Sequence, residues 1–270
     1  MTITVDSESC TRCGTCVEVC PMGLIDPADK KTFPRLRKEK EAMCLSCGQC
    51  EAFCPPGALT LGADRERPLK TLKEGAIPSA QLGLYLKSRR SIRCYLPKPV
   101  PMKTIQSILD FARFAASGGN GQPVEWLVVH DPKAVHAVGQ LTVEWMRELA
   151  KTDHPMSSYV PRLIAAWEAG NDTICRSAPH LIFPHIPKDS PIAPTDAIIA
   201  LTHVDIAAPA FGIGTCWAGF VAMASRTYEP LQEMLALPKG RVPAYAMMLG
   251  YPRYKAANIP GRKPLRVTWK

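Results

Sequence analysis

The chain has 270 residues, 46% hydrophobic side chains and a formal net charge of +9. That length accommodates one small and one medium domain, and the apolar fraction is that of a globular protein with real cores. Met1 to Ser9 lacks a basic stretch followed by an apolar one, which argues against a secretory signal.

The charge is uneven. Residues 1–70 balance ten Lys/Arg against ten Asp/Glu, whereas residues 71–270 carry 23 against 14 and hold the whole excess. A basic surface can serve nucleic acid, but no nucleic-acid motif and no basic run interleaved with aromatics is present. An anionic cofactor phosphate or an acidic redox partner is the better use of it, with a plain solvated surface as the alternative reading.

Two cysteine runs come first in the chain. Cys10, Cys13, Cys16 and Cys20, followed by Pro21, repeat as Cys44, Cys47, Cys50 and Cys54, followed by Pro55. Eight clustered thiols in a chain without an export signal mean metal ligation, not disulfides. Zinc ribbons use two C-x-x-C pairs and do not repeat this Pro-terminated fourth cysteine. A cubane needs four thiolates at tetrahedral corners. Three come from one tight loop, and the fourth, before Pro, belongs to the other cluster. Cys10, Cys13, Cys16 and Cys54 are therefore expected on one [4Fe–4S] cluster, and Cys44, Cys47, Cys50 and Cys20 on the second. Gly14 and Gly48 sit between ligands, where backbone must approach sulfide. Over residues 1–60 the spacing resembles that of bacterial two-cluster ferredoxins, without a departure.

Domain boundaries follow from the pattern change: residues 1–62 as the cluster domain, 63–80 as a linker of mixed charge, Gly and Pro, and 81–270 as a second domain of alternating helices and strands. Ser88 to Arg93, SRRSIR, places three Arg and two Ser within six residues; a phosphate-binding segment and a basic helix end both fit. Pro101 to Ala116 reads as a helix ended by Gly118 and Gly119. Asn120-Gly121-Gln122-Pro123 is a loop whose amides suit a ring with paired donors and acceptors, or a plain turn. Glu125 to His130 is an expected strand, Pro132 to Ala150 and His154 to Gly170 helices, and Leu181 to Ile186 a strand.

Ala197 to Gly214 is the longest apolar tract. His203 and Asp205 interrupt it and Pro209 to Gly212 breaks it, so it reads as a buried helix, expected over Thr195 to Ala210 with Asp196 in its first turn, and a turn, not a membrane span. His203 is read as a satisfied core residue. A glycine-rich turn, Gly212 to Gly219, follows; it is not a dinucleotide fingerprint. Thr215 to Phe220 and Val242 to Tyr251 are expected strands. Arg262 and Lys263 close the basic signals. The mixture implies an α+β sandwich with helices covering a sheet.

Taken in this order, the Arg/Ser segment, the Asn/Gln loop, the glycine-rich turn and the late basic pair, with Gly250-Tyr251-Pro252, resemble the nitroreductase family over residues 80–265. The fold class expected is therefore α+β: an N-terminal two-cluster ferredoxin-like domain followed by an FMN-dependent nitroreductase-like α+β sandwich. The resemblance implies FMN held by Arg89, Arg90, Ser91 and Arg93, by Asn120 with Gln122 beside it, by Cys216, Trp217, Ala218 and Gly219 near the ring, and by Arg262 and Lys263 at the phosphate. Departures at Ala116 to Asn120 and at Val124 fall on the substrate side of the pocket.

The fusion also resembles a nitroreductase subgroup of anaerobic bacteria. It implies an oxidoreductase that relays electrons from two [4Fe–4S] clusters to FMN and reduces a small electrophile: a nitroaromatic, quinone or activated alkene. A ferredoxin or flavodoxin, or NAD(P)H, is the expected electron donor, a homodimer the expected assembly and the cytoplasm the expected location, with no nucleic acid and no membrane. No catalytic acid or base stands out. A non-catalytic flavin/iron–sulfur carrier or redox sensor is the alternative.

Overall fold

The computed structural model describes residues 3–62 and 77–270. Residues 63–76, most of the expected linker, lie outside the described residues, and Ser79 and Ala80 already open a helix. The chain divides into two compact units, Met1–Ala76 with Gly119–Gly121, and Ile77–Gly118 with Gln122–Lys270.

The first unit is built twice from one pattern. Strand β1 (Ile3–Val5), helix α1 (Thr15–Glu18), strands β2 (Ile25–Asp26) and β3 (Arg35–Leu36), helix α2 (Gln49–Ala52) and strand β4 (Leu59–Leu61) make up its regular structure. β1 pairs antiparallel with β4 and β2 with β3. Backbone features recur 34 positions apart, as the cysteines do. Gly14 (φ 80°) and Gly48 (φ 74°) precede α1 and α2 in the left-handed region, and Arg12 (φ 56°) and Ser46 (φ 51°) share it. Gly23 and Gly57 donate to the carbonyls of Cys20 and Cys54, each at 3.0 Å. The apolar core here is small, with Ile25, Leu59 and the thiol-bearing Cys16 and Cys50 at its centre. So small a core leaves ligation to supply what packing does not.

The second unit contains helices α3 (Ser79–Ser88) and α4 (Met102–Ala112), strand β5 (Glu125–Val129), helices α5 (Pro132–Leu149) and α6 (Val160–Glu168), strand β6 (His180–Pro187), helix α7 (Ala193–Ala207), strand β7 (Gly214–Trp217), helices α8 (Gly219–Thr227) and α9 (Glu229–Leu235), and strands β8 (Arg241–Pro243) and β9 (Met247–Gly250). Its sheet runs β5-β6-β9-β7, with β8 also on β6, and every pairing is antiparallel. Both faces are buried, as the two-residue period of a strand requires when helices cover both sides. Leu181, Phe183, Cys216 and Met248 face a core with α5, α6, α8 and α9. Ile182, Met247 and Leu249 face the other, with α4 and α7.

Local chemistry explains the strongest helix. Asp131 caps α5 by accepting from Lys133 N–H at 3.0 Å, Pro132 sits in its first turn, and Val135, Val138, Thr142 and Met146 line its buried stripe. Gly139 on that stripe admits the Trp167 ring of α6; a Cβ there would lie 2.9 Å from Cη2.

Several expectations change. The helix expected over Pro101 to Ala116 ends at Ala112, and the one expected over His154 to Gly170 is the shorter Val160–Glu168. The strand expected over Thr215 to Phe220 stops at Trp217, because α8 starts at Gly219. The strand expected over Val242 to Tyr251 is two pieces along one edge of β6. Pro243 pairs with His185 and Met247 with Ile182, so Ala244, Tyr245 and Ala246 oppose only Phe183 and Pro184. The extra residue is a bulge, which re-aims a side chain, here Tyr245. His203 is exposed on α7, not core, and bonds the Ile199 carbonyl of its own helix at 2.9 Å.

A buried histidine at the start of β6 ties the loop before α4 to the end of β5. His180 Nε2 accepts from Val100 N–H at 2.7 Å, and its other nitrogen donates to the His130 carbonyl at 2.9 Å. His130 stacks on it at 4.2 Å and donates to the Val100 carbonyl at 2.8 Å. Burial, with His130 adding to it, pushes the His180 pKa down to about 4. The unfolded chain therefore binds the proton more readily, near pH 6.5. The stabilisation is full above that value and is lost as pH falls toward 4. Unfolding free energy should fall by about 2 kcal/mol between pH 7 and pH 5 from this group. Denaturant titrations at the two pH values check it: His180→Gln should show a difference smaller by that amount, and an equal difference would refute the assignment.

Candidate functional site

In the first unit, Cys20, Cys44, Cys47 and Cys50 line one cavity, and Cys10, Cys13, Cys16 and Cys54 line a second. Each cavity thus takes three thiols from one run and the fourth from the other. The first is otherwise walled by Ile3, Leu24, Ile25, Leu36 and Leu61 and holds no charged side chain. Burial pushes the Cys50 thiol up to about 11 and raises that of Cys16. Such thiols become thiolates when a metal compensates for the lost water. Among the described residues, no three His, Cys, Asp or Glu side chains converge on a position for one ion. Four soft donors spread around an apolar wall fit a multi-iron cluster better than a single zinc.

In the second unit, the segment after α3 crosses the ends of β7 and β9. Ile92 N–H donates to the Thr215 carbonyl at 2.8 Å, Leu96 N–H to that of Tyr251 at 2.9 Å, and Tyr95 Oη to that of Ile92 at 2.7 Å. Gly214 and Gly250 face each other in register beneath it. A Cβ on Gly214 would overlap Ile92, and one on Gly250 would lie 2.6 Å from Pro179 Cδ and 2.9 Å from Tyr95 Cδ1. Glycine there is a packing requirement, and it brings the Arg89 to Arg93 segment onto the glycine-rich strand.

The carboxylate of Asp205 organises this corner. It is 5% exposed, and it accepts from Thr215 Oγ1 at 2.5 Å and Trp217 Nε1 at 3.1 Å, with Arg89 Nη1 at 3.4 Å. Thr215 and Trp217 share a sheet face, which α7 covers. Trp217 meets the ring of Tyr245 edge-on at 5.1 Å, and the Tyr245 hydroxyl would lie 3.6 Å from a Cβ on Gly219. Ala218 N–H donates to the Ala246 carbonyl at 2.9 Å. Asp205 and Tyr245 were not among the expected site residues. The one signal for Asp205 is a charge inside an apolar tract; Tyr245 has none, since its aim depends on the bulge.

The other expected residues fall as follows. Arg90 donates to the Lys87 carbonyl at 2.5 Å, while its Nε is buried without a partner among the described residues. A buried donor left unpaired is costly, so an anion beside it fits. Burial pushes the Cys216 thiol up, against the nearby Arg93 charge and a hydrogen bond with Ser91. Gln122 (φ 45°) donates its N–H to Ser117 Oγ at 3.0 Å. Asn120 lies in the first unit, where its Nδ2 donates to the carbonyls of Leu45 (3.2 Å) and Ser46 (3.0 Å). Arg262 and Lys263 stand in the exposed segment 253–270, which contains no helix or strand. Arg89, Arg90, Ser91, Arg93, Cys216 and Trp217 are thus brought into one neighbourhood of the second unit.

Two four-thiol cages, and a sandwich with a cationic corner over a glycine-rich strand end, define a redox protein with a separate anion-binding module. The chain belongs to the nitroreductase family: residues 86–251 match that family's model, and residues 9–59 match that of the 4Fe-4S dicluster domain. It is an oxidoreductase of the nitroreductase type. It is 25% identical over 180 residues to a Methanothermobacter thermautotrophicus protein with a provisional name of NADH dehydrogenase/NAD(P)H nitroreductase, a match covering 67% of this chain and 80% of that one. Its fold is that of a nitroreductase with bound FMN from Bacteroides fragilis (TM-score 0.56, 19% identity, 70% of this chain and 97% of the other). A nitroreductase with bound FMN from Desulfitobacterium hafniense is equally similar (TM-score 0.56, 21% identity, 69% and 96%). No described helix is long and apolar enough to cross a membrane.

Proposed function

We propose that this chain takes single electrons onto two [4Fe–4S] clusters, passes them to FMN and reduces a small electrophile such as a nitroaromatic, quinone or activated alkene. The observation that carries this reading is the exchange of the fourth thiol between two cages, joined in one chain to a nitroreductase-family sandwich. FMN, when bound, accepts electrons singly and returns them in pairs, which is the conversion that one-electron clusters require. Arg89, Arg90, Ser91 and Arg93 would hold its anionic end, with the orphaned Arg90 Nε supporting that role. The backbone from Cys216 to Gly219 would lie along the ring. Asn120, Gln122, Arg262 and Lys263 complete the proposed set, and a homodimer is the proposed assembly.

Residues 1–62 act as the cluster module, 63–80 as the connection and 81–270 as the flavin module of a cytoplasmic protein from an anaerobe. A ferredoxin or flavodoxin is the proposed donor, since NAD(P)H alone would leave the clusters without a task. Anaerobic purification should yield about eight irons, eight sulfides and one FMN per chain. Zinc in place of iron would overturn the reading, as would a chain that binds no flavin. Stopped-flow reduction by reduced ferredoxin should outpace reduction by NADH. Fast flavin reduction with no turnover of any electrophile would point instead to a carrier or sensor.

A further inference from the structure

The two thiol cages are built on one repeat, yet its copies differ where side chains meet the thiols. Arg12, Thr15 and Val17 stand in the first run where Ser46, Gln49 and Glu51 stand in the second. Around Cys10, Cys13, Cys16 and Cys54 the surroundings are polar and positive. Thr11, Arg12 and Thr15 line that cavity, and Cys13 is exposed. Thr15 Oγ1 lies 3.2 Å from Cys13 Sγ, and once Cys13 is a thiolate ligand only the hydroxyl can donate. Arg12 donates to the Lys30 carbonyl at 3.2 Å and lies over the Phe33 ring at 4.4 Å, which holds its charge at the cage. Asp29 tempers that charge, although its Oδ1 already accepts from Lys31 and Thr32 N–H, and Glu18 of α1 is exposed.

Around Cys44, Cys47, Cys50 and Cys20 the wall is apolar, and the charge beside it is negative. Glu51 follows Cys50 in α2, is half-buried, and accepts from Leu61 N–H at 3.3 Å; Leu61 lines the cavity. One backbone donor, Leu24 N–H, meets Cys20 Sγ at 3.4 Å, so hydrogen bonds alone do not separate the cages. Charge and exposure do. Reducing a cluster adds negative charge to it. A cation, a donor to sulfur and water favour that addition, whereas an apolar wall and a carboxylate oppose it.

We propose that the two clusters are unequal, with the one on Cys10, Cys13, Cys16 and Cys54 at the higher potential, so that the module fills in a fixed order. The first electron from a one-electron donor takes that cluster from its 2+ to its 1+ state, and a second electron does the same to the other cluster. Arg12 and Thr15 raise the first potential, and Glu51 lowers the second. The inference rests on the cluster part of the proposed function, and not on the flavin or the substrate.

A redox titration of the anaerobically purified full chain, followed by electron paramagnetic resonance, provides the test. Two cluster potentials are expected at least about tenfold apart in one-electron equilibrium, which is 59 mV. Exchanging residues between the copies assigns them. Arg12→Ser should lower the higher potential alone by at least about threefold, ~28 mV, and Thr15→Val should lower the same one. Glu51→Val should raise the lower potential alone by a similar amount. A single unresolved potential would overturn the proposal. So would a shift of the opposite potential, or no shift, in these variants; if one of them loses iron, the other two decide. About eight irons per chain with a single potential would refute this inference and leave the clusters standing, whereas a chain without iron would remove the clusters themselves.

Discussion

Cys20→Ser is expected to remove the cluster whose other ligands are Cys44, Cys47 and Cys50, not the one served by the rest of its own run. Iron should fall from about eight to about four per chain. The reason is the cage composition, since Cys20 faces the second run's thiols and Cys54 the first run's. Double variants separate this from a general loss of the module. Cys20→Ser with Cys44→Ser strikes one cage twice and should keep about four irons, whereas Cys20→Ser with Cys10→Ser strikes both and should keep almost none. The reverse order of iron contents would refute the exchanged pairing. Turnover driven by reduced ferredoxin should drop at least about tenfold in Cys20→Ser, because one of two relay points is gone. Turnover by the enzyme with dithionite reducing its bound flavin directly should change little, and that contrast separates lost relay from a damaged substrate pocket.

Replacing Asp205 should give the largest effect in the sandwich. Asp205→Leu leaves the Thr215 hydroxyl, the Trp217 indole N–H and the Arg89 charge without their shared acceptor. Breaking a buried pair by removing one partner costs about 3–5 kcal/mol. Asp205→Asn keeps one acceptor oxygen and should cost less, about 1–3 kcal/mol. Guanidinium denaturation midpoints at unchanged slope measure both. Trp217 emission should broaden and shift as the ring loses its fixed hydrogen bond, and purified flavin content should fall in both variants. A loss below about 1 kcal/mol in Asp205→Leu would mean that the three donors find water or other partners, and that the carboxylate does not organise the corner.

What could be read without coordinates was local. Cluster ligation is written in spacers of two and three residues, because three thiols must reach one cubane from a single loop. Helix α5 was legible as a helix over Pro132 to Ala150, one residue beyond its end at Leu149. The cationic segment at Arg89 to Arg93 was visible as composition that fitted a phosphate or a basic helix end, and as a flavin contact only through the family resemblance. Where an element is buried on every side, periodicity is silent. α7 was found by its apolar length alone, and its boundaries ran into the turn at Ala208–Phe211.

Helices α3, α8 and α9 were passed over, and the strands of the first unit, two or three residues each, are too short for any alternation to show. His203 was misassigned for a related reason: an apolar tract does not say which of its faces meets solvent.

The sequence by itself determined the two four-thiol groupings, each with its fourth thiol from the other run, the basic bias of the second half and the α+β class, because these rest on covalent spacing, charge and short-range period. Only the tertiary structure decided which charges meet. Asp205 reaches Thr215 and Trp217 because α7 packs across β7, Tyr245 turns toward Trp217 because one extra residue bulges opposite β6, and Asp196 keeps a bare oxygen because the Gly118 loop returns to cap only the other. Each depends on chain segments distant in sequence arriving at one place, and no local pattern records that arrival.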